Sequence, residues 1–405
     1  MNGLPEGWKW LSLSEIGVSS NESIIPAKYE NELFEVWSVP NYEKDEPEYL
    51  KGKEIGSNKI VVQEGDVLLC KINPRINRVW QVRRSKGLKQ IASTEWVVVR
   101  NKEVNASFLV YQLQSQRIRN ELLKDVSGVG GSLMRARPNA VKNLKLTLPH
   151  RELQDQIVSK IEELFSELDK GIEELKTAQQ QLKVYRQAVL KWAFEGKLTN
   201  ENVKDGELPE GWKLVSVGSI CKCIVPNRDK PKSFTGDIKW VTTPNLSDNS
   251  IKLDYPNINL GLSKEEVQQF NARVIPTGSV IMTCVGTFGL SAIVEQPIVA
   301  NQQLHAFITN DLIDPRFLAY CIQYNKPYFE SKSTSTTIQY LNKENCNSMP
   351  LPLCTIEEQQ QIVQEIESRL SVCDKIEEAI TASLKQAEAL RQSILKKAFE
   401  GKLTF

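Results

Sequence analysis

The sequence predicts an α+β chain: two similar α/β domains separated by two long helices that form an antiparallel coiled coil, the whole a pseudo-twofold internal repeat. Three observations predict it. AFEGKLT occupies residues 193–199 and again 398–404. LPEGWK occupies 4–9 and again 208–213. Just ahead of each AFEGKLT lies a long stretch with apolar residues at every seventh position. A repeat of about 200 residues sets the architecture before any local propensity is read. It divides the chain into 1–149, 150–199, 200–353 and 354–405.

The first domain, 1–149, mixes short β-rich runs, turn residues and some helix, and carries a net charge of +5. From Lys71 to Lys89 it holds seven basic residues and no acidic one, with Asn73, Asn77, Trp80 and Gln81 interleaved. Lys and Arg neutralise phosphates, and Arg, Asn and Gln also carry the donor patterns that read base edges. Lys71, Asn73, Arg75, Arg78, Arg83 and Arg84 are therefore candidate DNA contacts; a solvated hairpin face is the bland alternative. A Gly/Ser stretch at 127–132 precedes Arg135 and Arg137. Small residues let the backbone approach a phosphate and neighbouring Arg reach a groove. This adds Ser132, Arg135 and Arg137.

The first helix, within 150–199, has Ile161, Leu168, Leu175, Leu182 and Val189 seven apart, with Ile157, Leu164, Ala178, Tyr185 and Trp192 at the other core position. Five heptads of this kind specify a coiled coil. At 1.5 Å per residue, about 44 residues span about 65 Å. Gly196 stands where a left-handed cap stops a helix.

The second domain, 200–353, repeats the strings of the first with a net charge of −1. Trp240 to Asn245 resembles Trp37 to Asn41, Gly278 to Cys284 resembles Gly65 to Cys70, and Ala300 to Leu304 resembles Ala92 to Trp96. A Ser/Thr run at 331–337 falls where 127–132 falls in the first copy. Hydroxyls and amides bond to phosphates and bases without net charge. Thr243, Asn245, Thr287, Gln302, Ser333, Thr334, Ser335, Gln339 and Tyr340 are the candidates here. The second helix, within 354–405, places Ile366, Cys373, Ile380, Ala387 and Ile394 seven apart, with Ile362, Ile376 and Leu390 alongside and Gly401 as its stop. An antiparallel pairing is expected because a duplicated unit mimics a symmetric dimer.

Other chemistry finds little support. Two histidines and one C-x-C pair, Cys221 and Cys223, are poor material for a metal site or a catalytic triad. Asn73-Pro74-Arg75-Ile76 resembles part of the [D/N]-P-P-[Y/F] motif of amino-methyltransferases but lacks its second proline and aromatic, and no glycine-rich cofactor loop precedes it. No apolar run approaches the roughly 20 residues of a membrane span, and the start lacks the regions of a secretion signal. A cytoplasmic location is the expectation.

Taken over the whole chain, this pattern resembles the specificity subunit of Type I restriction–modification systems. The strings that carry the resemblance are Leu-Pro-Glu-Gly-Trp at 4–8 and 208–212, Leu148-Pro149 running to Gln154 and Ile157-Val158, Leu353 running to Glu358-Gln359 and Ile362-Val363, and the twice-used Ala-Phe-Glu-Gly-Lys-Leu-Thr. His150-Arg151-Glu152-Leu153 replaces the more usual proline- and glutamate-bearing lead into the first helix. The resemblance implies that each α/β domain is a target recognition domain binding one half of a split double-stranded DNA sequence. It also implies that the helices set the spacing and dock two methyltransferase subunits. S-adenosylmethionine, ATP and Mg²⁺ would then lie on those subunits and on the restriction subunits, with no cofactor, metal or catalysis in this chain. A self-contained DNA modification enzyme and a coiled-coil adaptor without DNA contact are the alternatives.

Overall fold

The computed structural model describes residues 4–19, 22–85, 87–128, 134–200, 202–226, 230–333 and 339–403. The chain divides into two compact units, Met1–Lys176 with Thr381–Phe405, and Thr177–Ile380. Both unit boundaries fall inside long helices, so each unit holds one α/β part and a segment of each helix.

In the first unit, Lys9–Ser12 pairs antiparallel with Lys145–Leu148, in a register that sets Lys9 opposite Leu148 and closes the α/β part. A five-stranded sheet runs in the order Ser23–Ile24, Lys59–Val61, Lys89–Ser93, Leu33–Trp37, Glu48–Lys51. Its one parallel pair is Leu33–Trp37 with Lys89–Ser93. A three-stranded antiparallel sheet has Val67–Cys70 between Val79–Gln81 and Trp96–Val99. Four buried strand residues in a row, Val67 to Cys70, show that both faces of the central strand are covered. Trp37, Trp80 and Trp96 pack together on one side. Leu69, Val79, Leu109, Leu113 and Ile118 form the core beneath the helices Ala106–Gln114 and Gln116–Lys124.

The second unit repeats the plan. Lys213–Ser216 pairs with Pro350–Leu353, with Lys213 opposite Leu353. One antiparallel sheet has the order Lys222–Ile224, Leu304–Ile308, Val280–Thr283, Ser291–Ile293. The other contains the parallel pair Ile238–Val241 with Ile298–Ala300. The helix Pro315–Tyr324 packs against the first sheet, its Phe317, Leu318 and Ile322 fully buried.

The long helices are Arg151–Phe194 and Ile356–Phe399, 44 residues each. In the first unit, the start of the first helix packs on the end of the second. Ile157, Ile161 and Phe165 share a core with Ile394, Leu395, Ala398 and Phe399, and the Arg391 guanidinium lies over the Phe165 ring and pairs with Asp169. In the second unit, Val189, Ala193 and Phe194 pack with Ile362, Val363 and Ile366, and Arg186 pairs with Asp374 and Glu377 at 2.5 and 3.2 Å. Both segments pair antiparallel.

The main heptad stripe lies inward: Ile161, Val189, Ile366, Cys373, Ile380, Ala387 and Ile394 are buried, and Leu168, Leu175 and Leu182 half-buried. Of the companion positions, Ile157 and Ile362 are buried as expected, and four others correct the expectation. Tyr185, Trp192, Ile376 and Leu390 are 39–51% exposed, while Ala398, one position beyond the expected seam, is fully buried. Two helices alone touch along a narrow stripe, so a second apolar stripe faces outward wherever no other element covers it.

His150, which stands where the more usual lead is replaced, caps the first helix: its Nδ1 accepts from the Leu153 amide at 3.4 Å. Both helices stop at a left-handed glycine, Gly196 at φ +76° and Gly401 at φ +67°. The next amide, of Lys197 or Lys402, donates to the carbonyl of Trp192 or Lys397, the six-to-one bond of a Schellman cap. Among the described residues no helix is long and apolar enough to cross a membrane.

Candidate nucleic-acid interface

The basic run of the first unit is folded into a hairpin, and the fold splits it. Val67–Cys70 turns back as Val79–Gln81, so Lys71 to Arg78 form one end and Arg83 and Arg84 follow the other. At the first end, the Lys71 amide donates to the Glu95 carbonyl and the Asn73 amide to the Met134 carbonyl at 2.7 Å. Ile72 and Arg135 form an antiparallel bridge. Residues some 60 positions apart thus meet at one end of the three-stranded sheet: Lys71, Asn73 and Arg75 from the turn, Arg135 from the strand entry, Glu95 between them.

Carboxylates hold most of these cations. Arg135 bonds Glu95 through two nitrogens at 3.0 and 3.2 Å, and Arg137 pairs with Asp125 at 3.3 Å. These pairs are open to solvent and weakened by its screening, so a phosphate or a base edge can replace the carboxylate at small cost. Arg75 is exposed and forms no ion pair among the described residues. Arg78 differs: its side chain is 16% exposed and faces Glu43 at 3.4 Å, under the turn rather than at its tip. Arg83 pairs with Asp45, which also accepts from Trp80 Nε1 at 2.8 Å. Arg84 is exposed nearby. The pair Arg83 and Arg84 therefore lies apart from the Arg75 and Arg135 group. Ser132 lies outside the described residues.

The second unit builds the same junction from different side chains. The Cys284 amide donates to the Gln303 carbonyl, the Gly286 amide to the Gln339 carbonyl, and Val285 bridges Tyr340. Cys284, Gln303 and Tyr340 thereby occupy the places of Lys71, Glu95 and Arg135. Thr287 is exposed at the turn, Gln302 is exposed beside Gln303, and Tyr340 is 48% exposed. Thr243 Oγ1 donates to Gln303 Oε1 at 3.3 Å, which brings the Thr243–Asn245 turn to the same place. Asn245 is spent locally, its Oδ1 accepting from the Thr242 amide and hydroxyl. Ser333 closes a helix by donating to the Glu330 carbonyl. Thr334 and Ser335 lie outside the described residues.

Sequence reasoning missed Glu95, Asp125, Glu43 and Asp45 as the partners of the cations, and Ile76, which stands 47% exposed next to Arg75. None of these carries a local signal, since each meets its neighbours through the fold.

The cysteines are not poised for nucleophilic chemistry. Burial pushes the thiols of Cys70, Cys221 and Cys223 up to about 11 and that of Cys284 up to about 12. Among the described residues no group of three or more His, Cys, Asp or Glu side chains is arranged to hold a metal ion.

Comparison with known proteins agrees with this geometry. The model of the Type I restriction modification DNA specificity domain matches residues 5–177 and again 209–386. The specificity subunit of the Type I restriction enzyme EcoBI of Escherichia coli is 29% identical over 64% of this chain and 58% of its own length. The chain thus spans little more than half of that relative. The putative MjaX specificity subunit of Methanocaldococcus jannaschii is 23% identical over 88% of this chain and 82% of its own. A chain solved in work on complex assembly and conformational transition of the type I R-M system superposes with a TM-score of 0.82 at 23% identity, covering 100% of both chains. The HsdS subunit from Thermoanaerobacter tengcongensis does so at 0.59 and 23% identity, covering 99% of this chain and 98% of its own. Those two likenesses concern the fold; the doubled domain match, over most of the sequence, concerns the family. On that match the chain belongs to the Type I restriction modification DNA specificity domain family.

Proposed function

We propose that this chain is the sequence-specificity subunit of a Type I restriction–modification assembly, with no catalytic centre of its own, and that each unit binds one half of a split duplex target. One observation carries the reading. Each unit joins a hairpin turn to a strand entry far along the chain, at Ile72–Arg135 and at Val285–Tyr340, and the two junctions present different side chains. One scaffold with divergent tips suits two unlike half-sites; uniform affinity for DNA needs no divergence. The basic tip draws on phosphate neutralisation, and the hydroxyl and amide tip on direct polar contacts.

In this reading the long helices set the gap between half-sites and dock two methyltransferase subunits. Val184, Tyr185, Trp192, Val372 and Ile376 of the second unit, each 39–66% exposed, offer a helical partner the apolar stripe it needs. S-adenosylmethionine, ATP and Mg²⁺ then belong to the methyltransferase and restriction subunits, and the complex acts in the cytoplasm.

Selection by the full-length chain from a randomised duplex library tests the proposal. Two short sequences at a constant gap are expected, bound with an affinity that falls steeply with salt. A single uninterrupted site would contradict it. Methyl transfer by the isolated chain would replace it with a self-contained modification enzyme.

A further inference from the structure

The turn at 73–77 displays an apolar side chain that its own scaffold does not need to display. Asn73 and Asn77 both take left-handed backbone, at φ +48° and +51°, a conformation that asparagine adopts more readily than other side-chain-bearing residues. Between them, Arg75 and Ile76 face outward, Ile76 at 47% exposure. Both ends of the turn are fixed. The Asn73 amide donates to the Met134 carbonyl, and Asn77 Nδ2 donates to the Leu113 carbonyl at 2.9 Å. The Ile76 and Asn77 amides close the turn on the Asn73 and Pro74 carbonyls. The Oδ1 atoms of both asparagines are buried without a hydrogen-bond partner among the described residues.

The second unit is the internal control. Its matching turn also has two left-handed residues, Gly286 and Gly289, but there the apolar residue, Phe288, is 3% exposed. The same scaffold hides its apolar side chain in one unit and shows it in the other, so the exposure of Ile76 is a property of its own turn. Arg75 beside it is exposed and forms no ion pair among the described residues, so it makes the immediate surroundings cationic.

We propose that Ile76 is a base-contacting, specificity-determining residue, packing on the 5-methyl group of a thymine in the major groove while Arg75 holds the adjacent backbone or base edge. This rests on the functional reading above. The test uses the full-length chain and the split duplex that it selects. The half-site whose preference changes in Arg135→Ala is assigned to the first unit, and deoxyuridine replaces its thymines one at a time, removing only the methyl group.

At one position wild-type binding is expected to weaken about fourfold, the worth of one methyl-sized group taken out of water. At that position Ile76→Ala should bind thymine and deoxyuridine alike, and Ile76→Val should regain part of the difference. An unchanged preference at the other half-site in both variants reports that they fold. A half-site with no methyl-sensitive position, or a sensitivity that survives Ile76→Ala, overturns the proposal and leaves the functional reading standing. Failure of the wild-type chain to select any split target overturns both.

Discussion

Gly401 stands against Pro5, so closely that a Cβ on the glycine would fall 2.4 Å from the proline Cγ. The second unit repeats the seat: at Gly196 the same atom would fall 2.1 Å from Pro209 Cγ. The last turn of each long helix is thus covered by the LPEGWK string of the other copy, with Trp8 packed on Leu395 and Phe399, and Trp212 on Ala193 and Phe194. Left-handed backbone and proline contact both require glycine. Gly401→Ala should cost about 1–3 kcal/mol, read from urea denaturation followed by circular dichroism. Adding Pro5→Ala should return the steric share of that loss. An additive double variant would deny the contact.

The same seat brings the ends of the described chain, Leu4 and Leu403, to one cluster in the first unit, as Leu198 packs in the second. A circular permutant that joins these ends through a copy of residues 199–207 and opens near Asn202 should fold with an unchanged circular dichroism spectrum. An insoluble product, or one with reduced helix content, would count against the equivalence of the two junctions.

Arg75 and Arg135 should act together in DNA binding. Replacing both by alanine removes two cations from one end of the sheet, whereas Arg83→Ala removes one at the other. The double variant should weaken binding across sequences and lower the log–log salt slope by about two. Equal losses from Arg83→Ala alone would show that the split of the basic run has no bearing on binding.

Helix length should set the gap. Four residues inserted after Gln179, matched by four in the facing stretch of the second helix, add about 6 Å. The selected target should then gain one or two base pairs between its half-sites, with the half-sites themselves unaltered. A target of the original gap would refute the ruler.

His305 makes the second unit sensitive to acid. Its Nδ1 lies 3.2 Å from Cys346 Sγ in the core. Burial, aided by the nearby Lys343 charge, holds the imidazole down at about 4 from an ordinary 6.5. Above pH 6.5 both folded and unfolded chains are neutral here. Between pH 6.5 and 4 only the unfolded chain binds the proton, so stability falls as pH falls, by roughly 3 kcal/mol over the window. In His305→Gln the difference in unfolding free energy between pH 7 and pH 4 should shrink by about that amount, whatever the variant's absolute stability.

Much of the architecture was legible in the residues. Repeated strings marked the doubling that the family model matches at 5–177 and 209–386, the seven-residue period located Ile161 to Val189 and Ile366 to Ile394, and Gly196 and Gly401 marked both helix ends. A heptad says which face of a helix is apolar but not how much of it a partner covers, so Tyr185, Trp192, Ile376 and Leu390 read as core and stand exposed. Charge density along the chain likewise says nothing of chain reversal. Lys71 to Arg84 is one run in sequence and two ends of a hairpin in space, and the carboxylates that hold Arg135 and Arg137 come from turns 40 and 12 residues away.

Closure by repeated strings has a consequence for heredity. Each α/β part is bounded by a strand pair, Lys9 with Leu148 or Lys213 with Leu353, and rests on helix ends whose residues are nearly the same in both copies. A genetic crossover within those shared stretches exchanges a whole half of the molecule while every glycine–proline seat stays intact. Under the proposed function, such an exchange would give the chain a new pairing of half-sites in a single event, on a scaffold whose closing contacts are unchanged.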